Sequence, residues 1–213
     1  MTVAKRMVHV VDDDAAIRDS LRILLESAGL AVRTYPNAPL FLDALEDIHG
    51  CVLTDMRMPE MDGLELQQRL NERGLRLPVI VMTGQGDIPI AVRAMKAGAV
   101  DFLEKPFSDE ALLDAIQRAL AEGARREALE HEACEAHRRL AVLTSREREV
   151  FDLLVIGLST KAIANELGVS PRTIEVHRAR VFEKLQAHSL PELVRLAMAA
   201  GAANPAGSFG ESC

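Results

Sequence analysis

The stretch MVHVVDDD, residues 7–14, joins a short apolar run to three consecutive aspartates. The pattern returns at CVLTD, residues 51–55, which ends at Asp55, and at PVIVMT, residues 78–83, which ends at Thr83. Continuously apolar runs of this length are typical of strands that are buried on both faces of a parallel sheet. A polar residue therefore closes each of three predicted strands at the same end.

Helical patterns separate these strands. Residues 15–28 repeat apolar side chains at helical spacing and stop at Gly29. Further helices are predicted from Pro36-Asn37, over 64–70, from 84–87 to Gly98, and from Ser108 to Ala121, with further strands over 30–35 and 100–103. Five strands alternating with five helices predict an α/β fold with a doubly wound, five-stranded parallel sheet.

The ligand site of such a sheet lies at the carboxyl ends of its strands. Asp12 and Asp13 follow the first strand, Asp55 the third, Thr83 the fourth and Lys105 the fifth. Neighbouring carboxylates repel one another and need a hard cation, for which Mg²⁺ is best suited. Beside such a cation one carboxylate can attack phosphorus, and a lysine can hold a phosphate oxygen.

Each of these residues has a simpler interpretation when it is taken alone. Asp12 and Asp13 could cap the first helix, and Thr83 could merely end its strand. A lysine before proline is usually solvated. The arrangement of all of them at consecutive strand ends is what favours a functional site.

Residues 7–107 resemble the receiver domain of two-component response regulators, with the motifs VVDDD (10–14), LTDMRMPEMDGLEL (53–66), PVIVMTG (78–84) and AVDFLEKPF (99–107). The resemblance implies a flavodoxin-like fold in which Asp55 accepts a phosphoryl group from a sensor histidine kinase. It also implies the remaining roles: Mg²⁺ ligation by Asp12, Asp13, Asp55 and the carbonyl of Arg57, switching by Thr83 and Phe102, and phosphate binding by Lys105.

The last third of the chain has the pattern of a short all-α domain. Thr144 and Glu147 form a capping-box sequence, and Ser159 precedes a second helix that ends at Gly168. Ser170-Pro171 then begins a longer helix, so the order predicts a helix-turn-helix. Over residues 170–185 basic side chains outnumber acidic ones by two, as contacts with DNA phosphates require.

Residues 140–201 resemble the LuxR-type helix-turn-helix domain, with LTSREREV (143–150) and GLSTKAIANELGVSPRTIEVHRARVFEKL (157–185). A receiver followed by this domain is the order of the NarL/FixJ group, and residues 93–107 and 168–185 are most similar to its FixJ branch. The resemblance implies contacts with base edges from Arg172, Thr173, Glu175, Val176 and Arg180, and contacts with phosphates from Lys161, His177, Arg178 and Lys184.

We therefore expect a receiver domain over 1–121, a helical linker over 122–141, a DNA-binding domain over 142–203 and a disordered tail over 204–213. The linker is rich in Glu, Arg and Ala and carries weak heptad-like spacing. It either contributes dimer contacts or acts as a semi-rigid spacer, and its thin apolar stripe favours the spacer.

Composition narrows the class of protein further. The 213 residues are 48% hydrophobic and 27% charged, which excludes a disordered chain. No apolar run approaches the roughly 18–20 residues of a membrane span. Three widely spaced cysteines support neither a disulfide framework nor a zinc site. We therefore expect a cytoplasmic protein with no membrane partner.

Three functions compete. The first is a transcription factor that is phosphorylated at Asp55, dimerises through residues 88–103 and frees its helix-turn-helix to bind promoters and act on RNA polymerase. The second is an enzyme such as a phosphatase, which the lack of a general acid after Asp55 disfavours. The third is a DNA-binding protein with an inactive receiver, which the intact site disfavours. We expect the first, with no enzyme activity; the FixJ resemblance implies an oxygen-sensing, FixL-like kinase and nitrogen-fixation control.

Overall fold

The computed structural model describes residues 7–45, 49–84 and 88–201, with residues 88–91 described by their backbone alone. The chain divides into two compact units between Arg126 and Glu127, and each is treated by itself below. The tail predicted over 204–213 lies outside the described residues, as do residues 85–87 before the fourth helix.

The first unit is an α/β sandwich around one parallel sheet. Its strands are β1 (Met7–Val11), β2 (Ala31–Tyr35), β3 (Cys51–Asp55), β4 (Val79–Thr83) and β5 (Asp101–Glu104). Its helices are α1 (Ala15–Ser27), α2 (Ala38–Asp43), α3 (Gly63–Glu72), α4 (Ile88–Lys96) and the start of α5 (Asp109–Leu140). The strand order is β2-β1-β3-β4-β5, and all four pairings are parallel. This confirms the predicted doubly wound sheet.

Each face of the sheet carries its own apolar core. Val52 and Val81 pack with Phe41 of α2 and Leu66 of α3 on one face. On the other face the neighbouring strand residues join α1 and α5, with Ile116 of α5 fully buried. Because successive strand residues point to opposite faces, continuously apolar strands are what a sheet covered on both sides requires.

Helix α5 is longer than predicted. The sequence suggested a helix ending at Ala121 and a helical linker over 122–141, and α5 is one helix of 32 residues that ends at Leu140. The chain offers no proline in this stretch, and Gly123 alone is too weak a breaker to stop a helix. Ala136 and Leu140 belong to the core of the second unit, so that unit begins before residue 142.

The second unit, as far as it is described, contains the end of α5 and four further helices: α6 (Ser145–Val155), α7 (Thr160–Glu166), α8 (Pro171–Lys184) and α9 (Leu190–Ala199). The predicted N-caps are confirmed at Thr144, Ser159 and Ser170, each of which accepts a backbone N–H of its helix. Gly168 makes the turn between α7 and α8 at φ 65°, a conformation that favours glycine. Within the described ranges no helix is both long and apolar enough to cross a membrane.

Candidate functional site

The strand order brings Asp12 and Asp55 to one point on the rim of the sheet. β1 and β3 are neighbours, and Val11 lies beside Thr54, so the residues that follow them leave the sheet together. The connection from β1 turns to β2 on one side, while β3 lies on the other. A crevice at the carboxyl ends of the strands is the usual ligand site where the winding reverses in this way.

Lys105 joins the two carboxylates. Its Nζ lies 3.1 Å from Oδ2 of Asp12 and 2.5 Å from Oδ1 of Asp55. The backbone N–H of Lys105 donates to the carbonyl of Thr83 at 2.7 Å, which fixes the lysine at the end of β5 beside β4. Residues from β1, β3 and β5 thus form one ionic cluster, although 93 positions separate Asp12 from Lys105.

The loop after Asp55 holds its carboxylate on the opposite side. Oδ2 of Asp55 accepts the backbone N–H of Arg57 at 2.7 Å. Gly63, at the start of α3, allows this loop to close tightly, because a Cβ at that position would lie 2.5 Å from the carbonyl oxygen of Asp55. Asp62 caps α3 by accepting the N–H of Glu65. The side chain of Asp55 therefore faces the crevice with only 14% of its surface exposed.

Burial and hydrogen bonds together shift the pKa values of Asp12 and Lys105. Asp12 is 1% exposed, and burial raises its pKa, partly offset by hydrogen bonds from the Asp14 N–H and from Lys105. Burial lowers the pKa of Lys105, but its hydrogen bonds to Asp55 and Asp12 outweigh burial, so that the pKa is raised. Lys105 is thus a firmly held cation that compensates part of the charge of two carboxylates.

Asp14, and neither of its two predecessors, caps the first helix. Its side chain accepts the N–H groups of Ala16 and Ile17. The simpler interpretation of Asp12 is therefore set aside, because its Oδ1 accepts the N–H of Asp14 while its Oδ2 faces Lys105. Asp13 is exposed beside it.

The donor set fits Mg²⁺ in its chemistry. Two carboxylates, on Asp12 and Asp55, share the single positive charge of Lys105 and lie beside the Arg57 backbone. Mg²⁺ usually takes one or two carboxylates and completes its shell with carbonyls and water. Within residues 7–45, 49–84 and 88–201, no three His, Cys, Asp or Glu side chains are grouped closely enough to hold a metal ion. The structure thus brings Asp12 and Asp55 together without adding Asp13 as a third ligand.

The two predicted switch residues lie in different environments. Thr83 is buried at 3% exposure, and its hydroxyl donates to the carbonyl of Gly84 at 3.3 Å. Phe102 of β5 is 42% exposed, and Val92 and Met95 of α4 are exposed to 47% and 42%. The α4–β5 side of the unit therefore presents several large apolar side chains to solvent.

Helix α8 presents most of the predicted DNA contacts on one side. Its buried residues Ile174 and Val181 pack into the second unit. The exposed side chains include the five predicted for base edges, Arg172, Thr173, Glu175, Val176 and Arg180, and Lys161 is exposed on α7. His177 and Arg178 are half-buried. The guanidinium of Arg178 lies 5.7 Å from the centre of the Phe182 ring, so its positive charge faces the aromatic ring.

Lys184 forms an ion pair with a buried carboxylate of the second unit. Its Nζ donates to Oε2 of Glu147 at 2.7 Å and lies 3.4 Å from the carbonyl of Val142. Glu147 is 3% exposed and also accepts the N–H of Thr144 in the capping box. This pair gives Lys184 a structural role beside its predicted phosphate contact, since its side chain is still 36% exposed.

The contribution of the Glu147–Lys184 pair to stability should depend on pH. The hydrogen bond from Lys184 and that from the Thr144 N–H lower the pKa of Glu147 from 4.5 to about 2. A lowered carboxyl pKa stabilises the fold fully above pH 4.5, and the contribution is lost as the pH falls towards 2. We therefore expect Glu147→Gln to lower the free energy of unfolding above pH 4.5, with the difference from wild type vanishing near pH 2. Urea titrations followed by circular dichroism over this range check it.

The matched control for this prediction is Glu135→Gln. Glu135 pairs with Arg138 on the exposed surface of α5, with side chains 49% and 74% exposed. Exposed pairs contribute little, so its urea curve should follow wild type at every pH. An equal effect of the two substitutions would show that Glu147 has no special role.

Family comparisons agree with both units. The model of the response regulator receiver domain matches residues 8–117, and the model of bacterial regulatory proteins of the LuxR family matches residues 141–197. The chain belongs to the two-component response regulators that join a receiver to a LuxR-type DNA-binding domain, the NarL/FixJ type.

Individual relatives make the assignment more specific. The chain is 54% identical to the transcriptional regulatory protein FixJ of Azorhizobium caulinodans over 197 residues, 92% of this chain and 93% of the relative. It is 51% identical to FixJ of Bradyrhizobium diazoefficiens over 201 residues, 94% of this chain and 98% of the relative. The predicted similarity to the FixJ branch is thus confirmed.

Solved structures of response regulators support the same assignment. The response regulator StyR matches with a TM-score of 0.79 at 45% identity, over 92% of this chain and 99% of StyR. Full-length FixJ from B. japonicum matches with a TM-score of 0.58 at 51% identity, over 94% of this chain and 99% of FixJ. The fold and the class of regulator are therefore those expected from the sequence: a two-component regulator of transcription.

Proposed function

We propose that Asp55 accepts a phosphoryl group from a sensor histidine kinase and that this event controls binding of α8 to promoter DNA. The observation that carries the proposal is the ionic cluster in which Lys105 bridges Asp12 and Asp55. The carboxylate of Asp55 faces the crevice, and a fixed cation lies where an incoming phosphate needs one. Relatives at 48–54% identity that are transcriptional regulators support the link to DNA.

The chemistry is a transfer between two side chains. An oxygen of Asp55 attacks the phosphorus, the new O–P bond forms, and the bond from phosphorus to the kinase histidine nitrogen breaks, so that the electron pair stays on the imidazole. Lys105 then moves from the carboxylate pair to a phosphoryl oxygen, where its raised pKa keeps it charged. Asp12, Asp55 and the Arg57 carbonyl would hold Mg²⁺, and the exposed Asp13 would turn its carboxylate towards the same ion. The ion would supply charge neutralisation for the incoming phosphate.

The negative charge of a phosphoryl group on Asp55 would drive a movement of Thr83 and Phe102. The hydroxyl of Thr83 donates to the neutral carbonyl of its neighbour Gly84 at 3.3 Å, and a phosphoryl oxygen offers it a much stronger acceptor. Movement of Thr83 towards the phosphate leaves space in which the ring of Phe102 can repack. The exposed Val92, Met95 and Phe102 then form part of a face that joins a second copy.

The output is contact between α8 and promoter DNA. Arg172, Thr173, Glu175, Val176 and Arg180 meet base edges, while Lys161, His177, Arg178 and Lys184 meet phosphates. A pair of bound units recruits RNA polymerase and activates transcription in the cytoplasm. Because the chain is similar to FixJ proteins, we extend the proposal, as the sequence resemblance implies, to an oxygen-sensing, FixL-like kinase and to genes of nitrogen fixation.

Light scattering in Mg²⁺, with and without beryllofluoride as an aspartyl-phosphate mimic, tests the switch. Wild type is expected to change from monomer to dimer on adding beryllofluoride, because the mimic creates the acceptor that draws in Thr83. Asp55→Asn should stay monomeric. Met95→Glu should also stay monomeric, because it places a charge on the dimer face.

Ile23→Glu is the matched control for Met95→Glu. Ile23 is exposed to 62% on α1, away from the α4–β5 side, so this variant should dimerise like wild type. Dimerisation of Met95→Glu would remove α4 from the interface. If the mass of wild type stayed constant but its binding to DNA tightened, activation would release the DNA-binding domain of a monomer without dimerisation. If neither changed, the receiver would be inactive.

A further inference from the structure

Two arginines outside the helix-turn-helix bind the ends of its two helices. Arg139, near the end of α5, donates through Nη2 to the carbonyl of Leu185. Leu185 is the C-cap of α8. The chain therefore ties the carboxyl end of its DNA-reading helix to a residue 46 positions earlier.

Arg146 makes the equivalent contact with the other helix. It lies in the first turn of α6, and its Nη2 donates to the carbonyl of Leu167 at 2.9 Å. Leu167 is the C-cap of α7. The other end of the guanidinium pairs with Glu149 at 2.5 Å, which holds it in this orientation. Neither arginine was among the residues selected from the sequence.

The contacts suit the electrostatics of helix ends. The last four carbonyls of a helix have no partner within it, and the aligned peptide dipoles leave partial negative charge there. A guanidinium supplies both a hydrogen-bond donor and a positive charge at that point. In addition, Lys184 in the last turn of α8 is bound to Glu147 of α6. The carboxyl end of α8 is thus bound to both α5 and α6.

We propose that Arg139 and Arg146 are positioning residues for DNA binding: they hold the carboxyl ends of α8 and α7 so that both helices present their exposed faces in one fixed orientation. The inference rests on the proposed function of α8 as the DNA-reading helix. The two arginines act through the helices and touch no DNA. A displacement of about 1 Å at a helix end is enough to misalign side chains that must meet base edges.

The test compares Arg139→Ala and Arg146→Ala with Arg138→Ala in the full chain, with the receiver activated by Mg²⁺ and beryllofluoride throughout. Arg138 directly precedes Arg139 on α5. Its side chain is 74% exposed, and it pairs with Glu135 on the same helix. The probe is a duplex selected from a random library by its binding to wild type. Each positioning variant is expected to bind it about tenfold more weakly at a temperature where it is fully folded, since the lost hydrogen bond involves a charged group. Arg138→Ala should bind as wild type does.

Two further readouts separate positioning from other roles. The slope of log affinity against log salt concentration should stay at the wild-type value; a slope smaller by about 1 would mean that the arginine contacts a phosphate. Arg139→Lys and Arg146→Lys keep a charged donor at the helix end and should recover most of the affinity. Recovery would not follow if the alanine variants acted only by loss of guanidinium packing.

Hydrogen exchange tests the helix contacts independently of DNA. The amides of the last turn of α8 should exchange faster in Arg139→Ala, and those of the last turn of α7 faster in Arg146→Ala. Failure of wild type to bind any duplex would overturn the proposed function, and unchanged exchange would overturn the positioning role. Wild-type affinity in either alanine variant would overturn it as well.

Discussion

Replacement of Asp55 by asparagine is expected to abolish labelling by a small phosphodonor such as acetyl phosphate. The amide removes the charged oxygen that attacks phosphorus, and Asp55 is the carboxylate held between Lys105 and the Arg57 N–H. The asparagine side chain keeps the size of aspartate and an oxygen that can accept from Lys105. The fold should therefore persist, with a melting temperature close to wild type. Radiolabelled donor and gel autoradiography in Mg²⁺ measure the uptake.

Asp14→Asn is the control for this substitution. It makes the same chemical change two residues from Asp12, but the role of Asp14 is to cap α1, and asparagine is as good an N-cap as aspartate. This variant should be labelled at the wild-type level. Label that persists in Asp55→Asn would place the acceptor at another residue and end the proposed chemistry.

Arg180→Ala is expected to weaken binding to the selected duplex by about 10- to 100-fold, which corresponds to the roughly 1–3 kcal/mol of a direct base contact. Arg180 is exposed on α8, whose buried residues are Ile174 and Val181. Its removal leaves no cavity, so the stability of the second unit should not change. Fluorescence anisotropy against the selected duplex and against sequence variants of it measures both affinity and discrimination.

The control removes an equal charge elsewhere in the same unit. Arg195 is exposed on α9, and Arg195→Ala should retain wild-type discrimination between duplexes. If Arg180→Ala weakened all duplexes equally and reduced the salt slope by about 1, Arg180 would be a phosphate contact instead. Unchanged affinity would remove it from the contact surface.

The strands, the helix caps and the meeting of the site residues follow from local patterns in the chain. Continuously apolar runs such as 51–54 specify buried parallel strands, and the polar residue after each run must then lie on one rim, whatever the details of packing. The caps at Thr144, Ser159 and Ser170 could also be predicted, because they depend on contacts within four residues.

Which long side chains face solvent and which serve the fold depends on packing between distant segments. Helical spacing places Lys184 on the exposed side of α8, where it lies, but it does not show that Nζ of Lys184 reaches a carboxylate 37 positions away on α6. The partner of Arg139, 46 positions away, is equally invisible to a local pattern. The continuity of α5 could not be predicted for the same reason. Its last part has a weak apolar stripe, and burial of Ala136 and Leu140 in the core of the second unit stabilises it as a helix. Periodicity specifies a face, whereas the partner of a charge depends on which distant residue the fold brings within reach.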